Sequence, residues 1–376
     1  MARRNTTGDG PVVAVVGAGV IGAATALHLA RRGVRVHCVE RAARPGTGTT
    51  AVGFATATAY RRFPRAYFDL NQAGIAEHAA LAAELAGSSW WHPTGTLAWS
   101  DEESFGGYLD LLAEWGCPTE RHDHGRAHRV LRESVAFPDT GVVAVLPSEG
   151  WIDAVAFTRR LLSEAVDLGA TLDLDTELAS VDLADGHVAG IRLADGGRMA
   201  VDVLVNATGS GADRIAAMVG ARPFLGAPRR SLIAHLLVDG EPLRHVLRAP
   251  DISIRPDGPG RVVMRSDQVD RRLPPRSGTP DPELVKDLLD RAGRVVPLLG
   301  SGTVREATVV EARCARDDLP SIGPLSAVPG YYEAVASAGV TLAPLFGRVL
   351  ADHVVEGTLD PSIAPFTPDR FEVDAA

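Results

Sequence analysis

The stretch Val12-Val-Ala-Val-Val-Gly-Ala-Gly-Val-Ile-Gly22, with Val34-Arg-Val-His-Cys-Val-Glu40 after it, decides the fold. Its β-branched run reads as a buried parallel strand, and the glycines then turn the chain into an apolar helix. Gly17 permits the tight turn, Gly19 lets the backbone approach a pyrophosphate, and Gly22 allows the helix to pack closely on the strand. With Ala18, Val20 and Ile21 the helix start offers N–H groups and positive dipole charge to phosphates. Glu40 closes the second strand, where a carboxylate accepts hydrogen bonds from ribose hydroxyls and repels a 2′-phosphate. The segment therefore describes a site for FAD or NAD rather than NADP. A glycine triplet alone would fit an ordinary βαβ unit without a ligand; strand, triplet, helix, Gly33 turn, second strand and acid together point to a nucleotide.

Composition bounds the rest. A chain of 376 residues with 45% hydrophobic content has material for sizeable cores in more than one domain. A net charge of −9 argues against nucleic acid or an anionic membrane surface as partner. Lys286 is the only lysine, which removes nearly every candidate for a catalytic one. Cys38, Cys117 and Cys314 are widely spaced, so neither a disulfide framework nor a zinc site is indicated, and a reducing cytoplasm fits. His122-Asp-His124 with His128 reads as a polar loop rather than a metal site, and no metal is expected. Arg3-Arg4 before an apolar stretch superficially suggests a signal peptide, but that stretch is the glycine-rich strand and helix.

Along the chain, residues 41–53 are rich in Gly, Thr and Pro and read as a loop. Helical spacing is expected at 67–85, 109–115, 154–168 and 281–299. The aromatic, turn-rich segment Trp90–Trp99 reads as packing beneath a loop or as the wall of a pocket. Short strands at 171–174, 178–183, 188–193 and 199–201 are joined by Asp185-Gly186 and Asp195-Gly196 turns, which mark hairpins. A second buried strand, Val203-Leu-Val-Asn-Ala-Thr-Gly209, ends in small residues, as needed where backbone passes close to a ligand. Strands dominate 231–263 and return at 303–314. A Tyr-rich strand at 331–336, the small-residue loop Ser337-Ala-Gly-Val-Thr341 and a helix through Val355 give a further glycine loop opening a helix, suited to a negative or electron-rich group.

Taken together these segments resemble the D-amino-acid oxidase, glycine oxidase and sarcosine oxidase family of FAD-dependent oxidoreductases, the DAO family. The likeness is carried by Gly17-Ala-Gly-Val-Ile-Gly22 with Glu40 and Arg41, Glu149-Gly-Trp-Ile-Asp153, Asn206-Ala-Thr-Gly209, Asp317-Asp-Leu-Pro-Ser-Ile-Gly323 and Ala338-Gly-Val-Thr-Leu-Ala-Pro344. It implies an α/β fold with a Rossmann-like FAD-binding domain and a mixed-sheet substrate domain. The FAD-binding domain would be discontinuous, residues 1–55, 145–215 and 315–376, and the substrate domain would take 56–144 and 216–314. It also implies FAD contacts from Thr49, Thr50 and Gly53, from Val181 beside the adenine, from Ala207, Thr208 and Gly209, and from Gly339, Val340, Thr341 and Leu342 around the flavin. Positive dipole charge at that second helix start would favour an anionic reduced flavin.

Three departures from the family pattern matter. Ser337 stands where many relatives carry histidine in the C-terminal glycine loop. Val310 stands where sarcosine oxidases attach FAD through cysteine, with Cys314 displaced along the strand, so FAD is expected to be non-covalent. The strand at 261–266 has no lysine to assist oxygen, so O2 and another electron acceptor both stay open.

The expected chemistry is oxidation of the C–N bond of an amino acid or secondary amine by hydride transfer to flavin N5, with hydrolysis of the imine. The protein then supplies orientation, desolvation and electrostatics, and no dedicated acid–base pair is needed. A substrate carboxylate calls for an arginine fork. Arg313 is the first choice, and alternation along 303–314 would set it on one face with Arg305 and Glu311; Arg255 and Arg265 are reserves. His235 reads as a hydrogen-bonded core residue. Oxidation of a 2-hydroxy acid, a structural flavoprotein and an NAD-dependent dehydrogenase are the alternatives. Substrate, stereochemistry and oligomeric state are not readable.

Overall fold

A computed structural model describes residues 10–85, 87, 89–131, 134–275 and 278–372. The chain divides into two compact units, the first taking residues 10–48, 155–227 and 313–372 of the described chain and the second 49–154 and 228–312.

The first unit is built on a six-stranded sheet in the order Ser321–Pro324, Tyr331–Val335, Val203–Asn206, Val12–Val16, Arg35–Val39, Thr171–Asp173. Its neighbours run parallel except for the antiparallel pair Ser321–Pro324 and Tyr331–Val335. Val13 to Val16 are at most 5% exposed, as expected of a strand covered on both sides. Helix Val20–Arg31 follows, and helix Gly339–Glu356 packs against it so closely that a Cβ on Gly347 would lie 2.5 Å from the Ala24 carbonyl oxygen. Each buried Leu or Val on these helices contributes about 1.5–3 kcal/mol. A three-stranded antiparallel sheet, Leu178–Ala184, His187–Leu193 and Arg198–Ala200, completes the unit. Its first turn has φ of 51° at Asp185 and 79° at Gly186, the pair of positive values a tight hairpin demands.

The second unit carries an eight-stranded mixed sheet in the order Thr303–Ala312, Arg229–Leu237, Arg261–Arg265, Ser253–Pro256, Val246–Arg248, Thr96–Ala98, Val142–Leu146, Glu120–Asp123. Alternation sorts its side chains. Leu232, Ala234, Leu236, Leu247, Ile254, Val262 and Met264 share one core with Leu284, Leu288 and Ala292 of helix Pro282–Val295. The intervening residues, among them Ile233, His235, Arg248, Ser253, Arg255, Val263 and Arg265, fall on the other face. There Ile233, Val263 and Val310 pack with Val52 and Phe54. Helix Arg65–Glu84 and a small sheet of Thr56–Ala57, Gly150–Ile152 and Trp91–His92 complete the unit.

Several segments differ from the sequence expectation. The supposed loop at 41–53 holds a single helical turn, Thr49–Val52. Trp90–Trp99 contains two short strands, with Trp90 and Trp99 buried. The histidine-rich segment is strand Glu120–Asp123 running into helix His124–Leu131. The helix expected to reach 299 ends at Val295, because a residue preceding a proline, here Val296 before Pro297, avoids helical backbone. Strand Thr303–Ala312 pairs His235 with Glu306 but Leu236 with Val304, so Arg305 sits in a bulge and the alternation expected across 305–313 is broken.

Candidate functional site

In the first unit three strand ends meet at Gly17. Its N–H donates to the Val39 carbonyl at 2.8 Å, and the Ala207 N–H donates to the Val16 carbonyl at 2.9 Å. Gly17 has φ of 102°, and a Cβ there would stand 2.7 Å from the Ala207 oxygen. A Cβ on Gly22 would stand 1.9 Å from the Gly17 oxygen. Both positions exclude any side chain without movement of the backbone. Glu40 ties it together: its carboxylate accepts from the Ala18 N–H at 2.8 Å and from the Ala42 N–H at 2.9 Å. A carboxylate has further acceptor capacity beyond one bond per oxygen. Val181 lies in the same buried cluster as Val16 and Val39.

Two helices begin beside this turn. Helix Val20–Arg31 starts after Gly19 and helix Gly339–Glu356 after Ala338; neither has a side-chain cap, and neither carries an acid in its first turn. Their starts are adjacent, since a Cβ on Gly339 would lie 3.2 Å from Ile21 Cδ1. Two helix N-termini side by side concentrate positive dipole charge, an arrangement suited to a ligand with anionic groups. His28, in the last turn of the first helix and buried under Gly347, has its pKa lowered to about 3 by burial and by Arg31, Arg32 and Arg348.

The Asn206–Gly209 turn is held by a buried network. Asn206 Nδ2 donates to the Tyr331 hydroxyl at 2.8 Å and to the Ala212 carbonyl at 3.0 Å, and its Oδ1 accepts from Thr208 Oγ1 at 2.7 Å. Gly209 has φ of 55°. One residue over, the Ser321 hydroxyl donates to Glu333, a carboxyl only 2% exposed whose pKa burial pushes up to about 7 against that hydrogen bond and the charge of Arg370.

In the second unit the sheet face opposite the core carries a row of directly paired residues, Arg248, Ser253 and Arg265. Arg248 donates to Ser253 Oγ at 3.1 Å and to Thr56 Oγ1 at 3.0 Å, and its guanidinium lies 5.0 Å from the centre of the Phe54 ring. Its Nε is buried without a hydrogen-bond partner. Burial, then the nearby charges of Arg265 and Arg62, lower its pKa to about 10. Among the described residues it has no ion-pair partner. The Glu149 carboxylate offsets part of its charge. Glu149 is itself fully buried, accepting from the N–H groups of Ala59 and Tyr60 at 2.8 and 2.9 Å.

The chain matches the model of the FAD dependent oxidoreductase family, DAO, over residues 13–353. The chain belongs to the DAO family. It is similar to the uncharacterized oxidoreductase YurR of Bacillus subtilis, 24% identical over 94% of this chain and 97% of that protein. The bifunctional protein ThiO/ThiG of Trichormus variabilis is also 24% identical, over 97% of this chain but only 56% of the relative, so the chain spans about half of that protein. The structure of glycine oxidase from Geobacillus kaustophilus superposes with a TM-score of 0.83 at 23% identity, covering 96% of this chain and 99% of that one, which shows the shared fold.

An α/β fold with a Rossmann-like sheet and a mixed sheet is what the family assignment requires, and the residues of the first unit fit the FAD on which the family depends. The glycine cradle leaves no room for side chains, neither helix carries an acid in its first turn, and Glu40 retains acceptor positions. Arg41 is exposed at the end of this strand, and Gly17, Ala18, Gly19, Val20, Ile21, Gly22, Glu40, Ala207, Thr208, Gly209, Gly339, Val340, Thr341 and Leu342 all belong to the first unit. Thr49, Thr50 and Gly53 belong to the second.

The three arginines named from sequence are spread out. Arg313 lies in the first unit beyond the end of the strand, 3.9 Å from Asp213, with its N–H on Ser210 Oγ. Arg255 is buried and spent: it donates to the Phe54 and Pro256 carbonyls and pairs with Asp257 at 2.9 Å, while stacking over Trp151. Burial works against the charge of Asp257, but His235 and Arg255 outweigh it and pull that carboxyl down. Arg265 pairs with Asp267 and Asp270. Arg248 was not named; the signal that could have found it is its register opposite Ser253 on a strand whose other residues are apolar. No group of three or more His, Cys, Asp or Glu side chains is placed to hold a metal, and no helix is long and apolar enough to cross a membrane, among the described residues.

Proposed function

We propose that this chain oxidises the C–N bond of a carboxylate-bearing amino acid or secondary amine. FAD is held non-covalently by the first unit, and the substrate carboxylate is held in the second by Arg248. The observation that carries this is the Arg248 guanidinium, half-buried, gripped by two hydroxyls and in no salt bridge among the described residues. Membership of a family that includes glycine oxidase supports the substrate class. Bound FAD would supply the two-electron acceptor for the C–H bond next to nitrogen.

The chain does the rest. Thr56 and Ser253 fix the plane of the guanidinium and Phe54 closes one of its faces, leaving its remaining N–H groups to grip a carboxylate on two oxygens. Holding the carboxylate fixes the neighbouring Cα in one orientation, which is the main contribution a protein makes to such a reaction. The glycine cradle and Glu40 would hold the adenosine diphosphate half of the cofactor, and the Gly339–Leu342 helix start would face the flavin.

The test is anaerobic mixing of the holoprotein with D- and L-amino acids, N-methyl amino acids, simple amines and 2-hydroxy acids while flavin absorbance is followed, with air admitted afterwards. Carboxylated amines should bleach the flavin, and Arg248→Met should weaken them about a hundredfold or more, the size expected for removing a buried charged partner. Bleaching by simple amines as readily as by amino acids, or an unchanged affinity in Arg248→Met, would sink the assignment.

A further inference from the structure

Arg255 does more than pair its charge. Asp257, 2.9 Å from Nη1, is enough to neutralise it. Nε is spent elsewhere, on the Phe54 carbonyl, while Nη1 also donates to the Pro256 carbonyl at 2.7 Å. The guanidinium lies 5.2 Å from the centre of the Trp151 ring, which is itself stacked on His92 with 3.6 Å between ring centres. Held on all these sides and only 4% exposed, Arg255 is a fixed point on the sheet face that it shares with Arg248.

The carbonyl held by Nε belongs to the peptide between Phe54 and Ala55. Ala55 has φ of 47°, in the left-handed region that a residue with a Cβ avoids. Rotation about that torsion turns this same peptide, so the hydrogen bond from Arg255 acts directly on the disfavoured angle. Beyond it, the Ala55 carbonyl accepts from the Ile152 N–H at 3.0 Å, and Thr56 enters the small sheet opposite Trp151. The residues on either side of Ala55 are the two that frame Arg248. The Phe54 ring centre lies 5.0 Å from its guanidinium, and the Thr56 hydroxyl accepts from it at 3.0 Å. Relaxation of Ala55 to negative φ would swing Phe54 away from Thr56 and open that frame.

On the reading of Arg248 as the carboxylate holder, we infer that Arg255 is a positioning residue for substrate binding: by holding the Phe54–Ala55 peptide in its left-handed turn, it keeps the Phe54 ring and the Thr56 hydroxyl on the Arg248 guanidinium. Its effect on the substrate passes through Arg248.

Arg255→Lys tests this, because it keeps a charge for Asp257 while its one nitrogen cannot take the places of Nε and Nη1 together. The holoprotein is treated with phenylglyoxal, and the rate of modification at Arg248 is read by peptide mass mapping. In parallel, flavin bleaching is titrated anaerobically with D- and L-amino acids and N-methyl amino acids. In Arg255→Lys, Arg248 should be modified faster, and carboxylated amines should bind about tenfold more weakly, the size expected for one hydrogen bond to a charged group, with a smaller change in the limiting bleaching rate. Adding Ala55→Gly, which removes the penalty on positive φ, should restore much of both. Ala55→Val, which raises that penalty, should reproduce the faster modification with Arg255 in place. In an Arg248→Met background, Arg255→Lys should have no further effect on binding, whereas a general structural loss would weaken it there too. Modification of Arg248 unchanged in Arg255→Lys or in Ala55→Val, or not restored by Ala55→Gly, overturns the proposal whether or not any compound bleaches the flavin. Faster modification with unchanged binding of carboxylated amines would uphold the hold on Phe54 and defeat the carboxylate reading of Arg248. Weaker binding with unchanged modification would do the reverse.

Discussion

Glu333 offers a quantitative test of the first unit's core. It lies on Tyr331–Val335, between Gly323 and Asn206 on the flanking strands, 2% exposed, with the Ser321 hydroxyl donating to its carboxyl. Burial raises its pKa from the ordinary 4.5 to about 7. The folded protein therefore binds this proton more tightly than the unfolded chain does, and between those two values folding takes up a proton. Stability from this group is full below about pH 4.5, falls as pH rises through 7, and levels off above. The span from 4.5 to about 7, at about 1.4 kcal/mol per pH unit, is worth about 3 kcal/mol. Glu333→Gln keeps an acceptor for Ser321 and removes the titration. Urea denaturation of both proteins at saturating FAD, from about pH 5 to about pH 8.5, should give a stability difference that grows in favour of the variant by up to about 3 kcal/mol and then stays flat. A difference that does not change with pH would refute the argument, because it would mean that Glu333 is ionised in the folded protein throughout.

Two further outcomes follow from the cofactor site. Gly22→Ala puts a methyl group 1.9 Å from the Gly17 carbonyl oxygen, which only backbone movement relieves; it should cost about 1–3 kcal/mol of stability and most of the FAD bound after gel filtration, read by melting and by absorbance ratio. Cys38, Cys117 and Cys314 are all buried, and burial pushes the Cys38 thiol up to about 12, so acid precipitation should leave all of the FAD in the supernatant; a yellow pellet would mean a covalent bond.

The turn at the heart of the first unit was legible because its physics is local. A β-branched run, glycines at a turn that admits no Cβ and an acid at a strand end occupy one short stretch, and each residue type has a single reason to be there. The Asp185-Gly186 turn was legible on the same ground, its positive φ values being written in the residue pair. The strand 303–314 was less so. Its period of two holds from Glu306 to Ala312, but the expected alternation took in Arg305, and a bulge is set by the pairing of both strands and leaves no mark in one of them. The Asn206 network was half visible: the small residues of the turn stand in the sequence, whereas Tyr331, which holds Asn206, is 125 residues away.

Arg248, proposed above to hold the substrate carboxylate, was not named from the sequence for a deeper reason. In a chain with 38 basic residues, nearly all arginine, identity carries little information about role; what distinguishes Arg248 is which acids it lacks. That property belongs to pairings across the sheet and along the 54–65 segment. Arg255 and Arg265, the reserves chosen from sequence, share the face of Arg248 and differ only in having Asp257, Asp267 and Asp270 close enough to neutralise them. The acids two residues after Arg255 and Arg265 were in plain view, and adjacency of that kind is a usable sign that an arginine on a strand is already taken. Applied to this chain it marks both reserves as ion-paired and leaves Arg248, whose flanking residues Leu247 and Ala249 offer no charge, as the arginine of that sheet face that the proposal assigns to the substrate carboxylate.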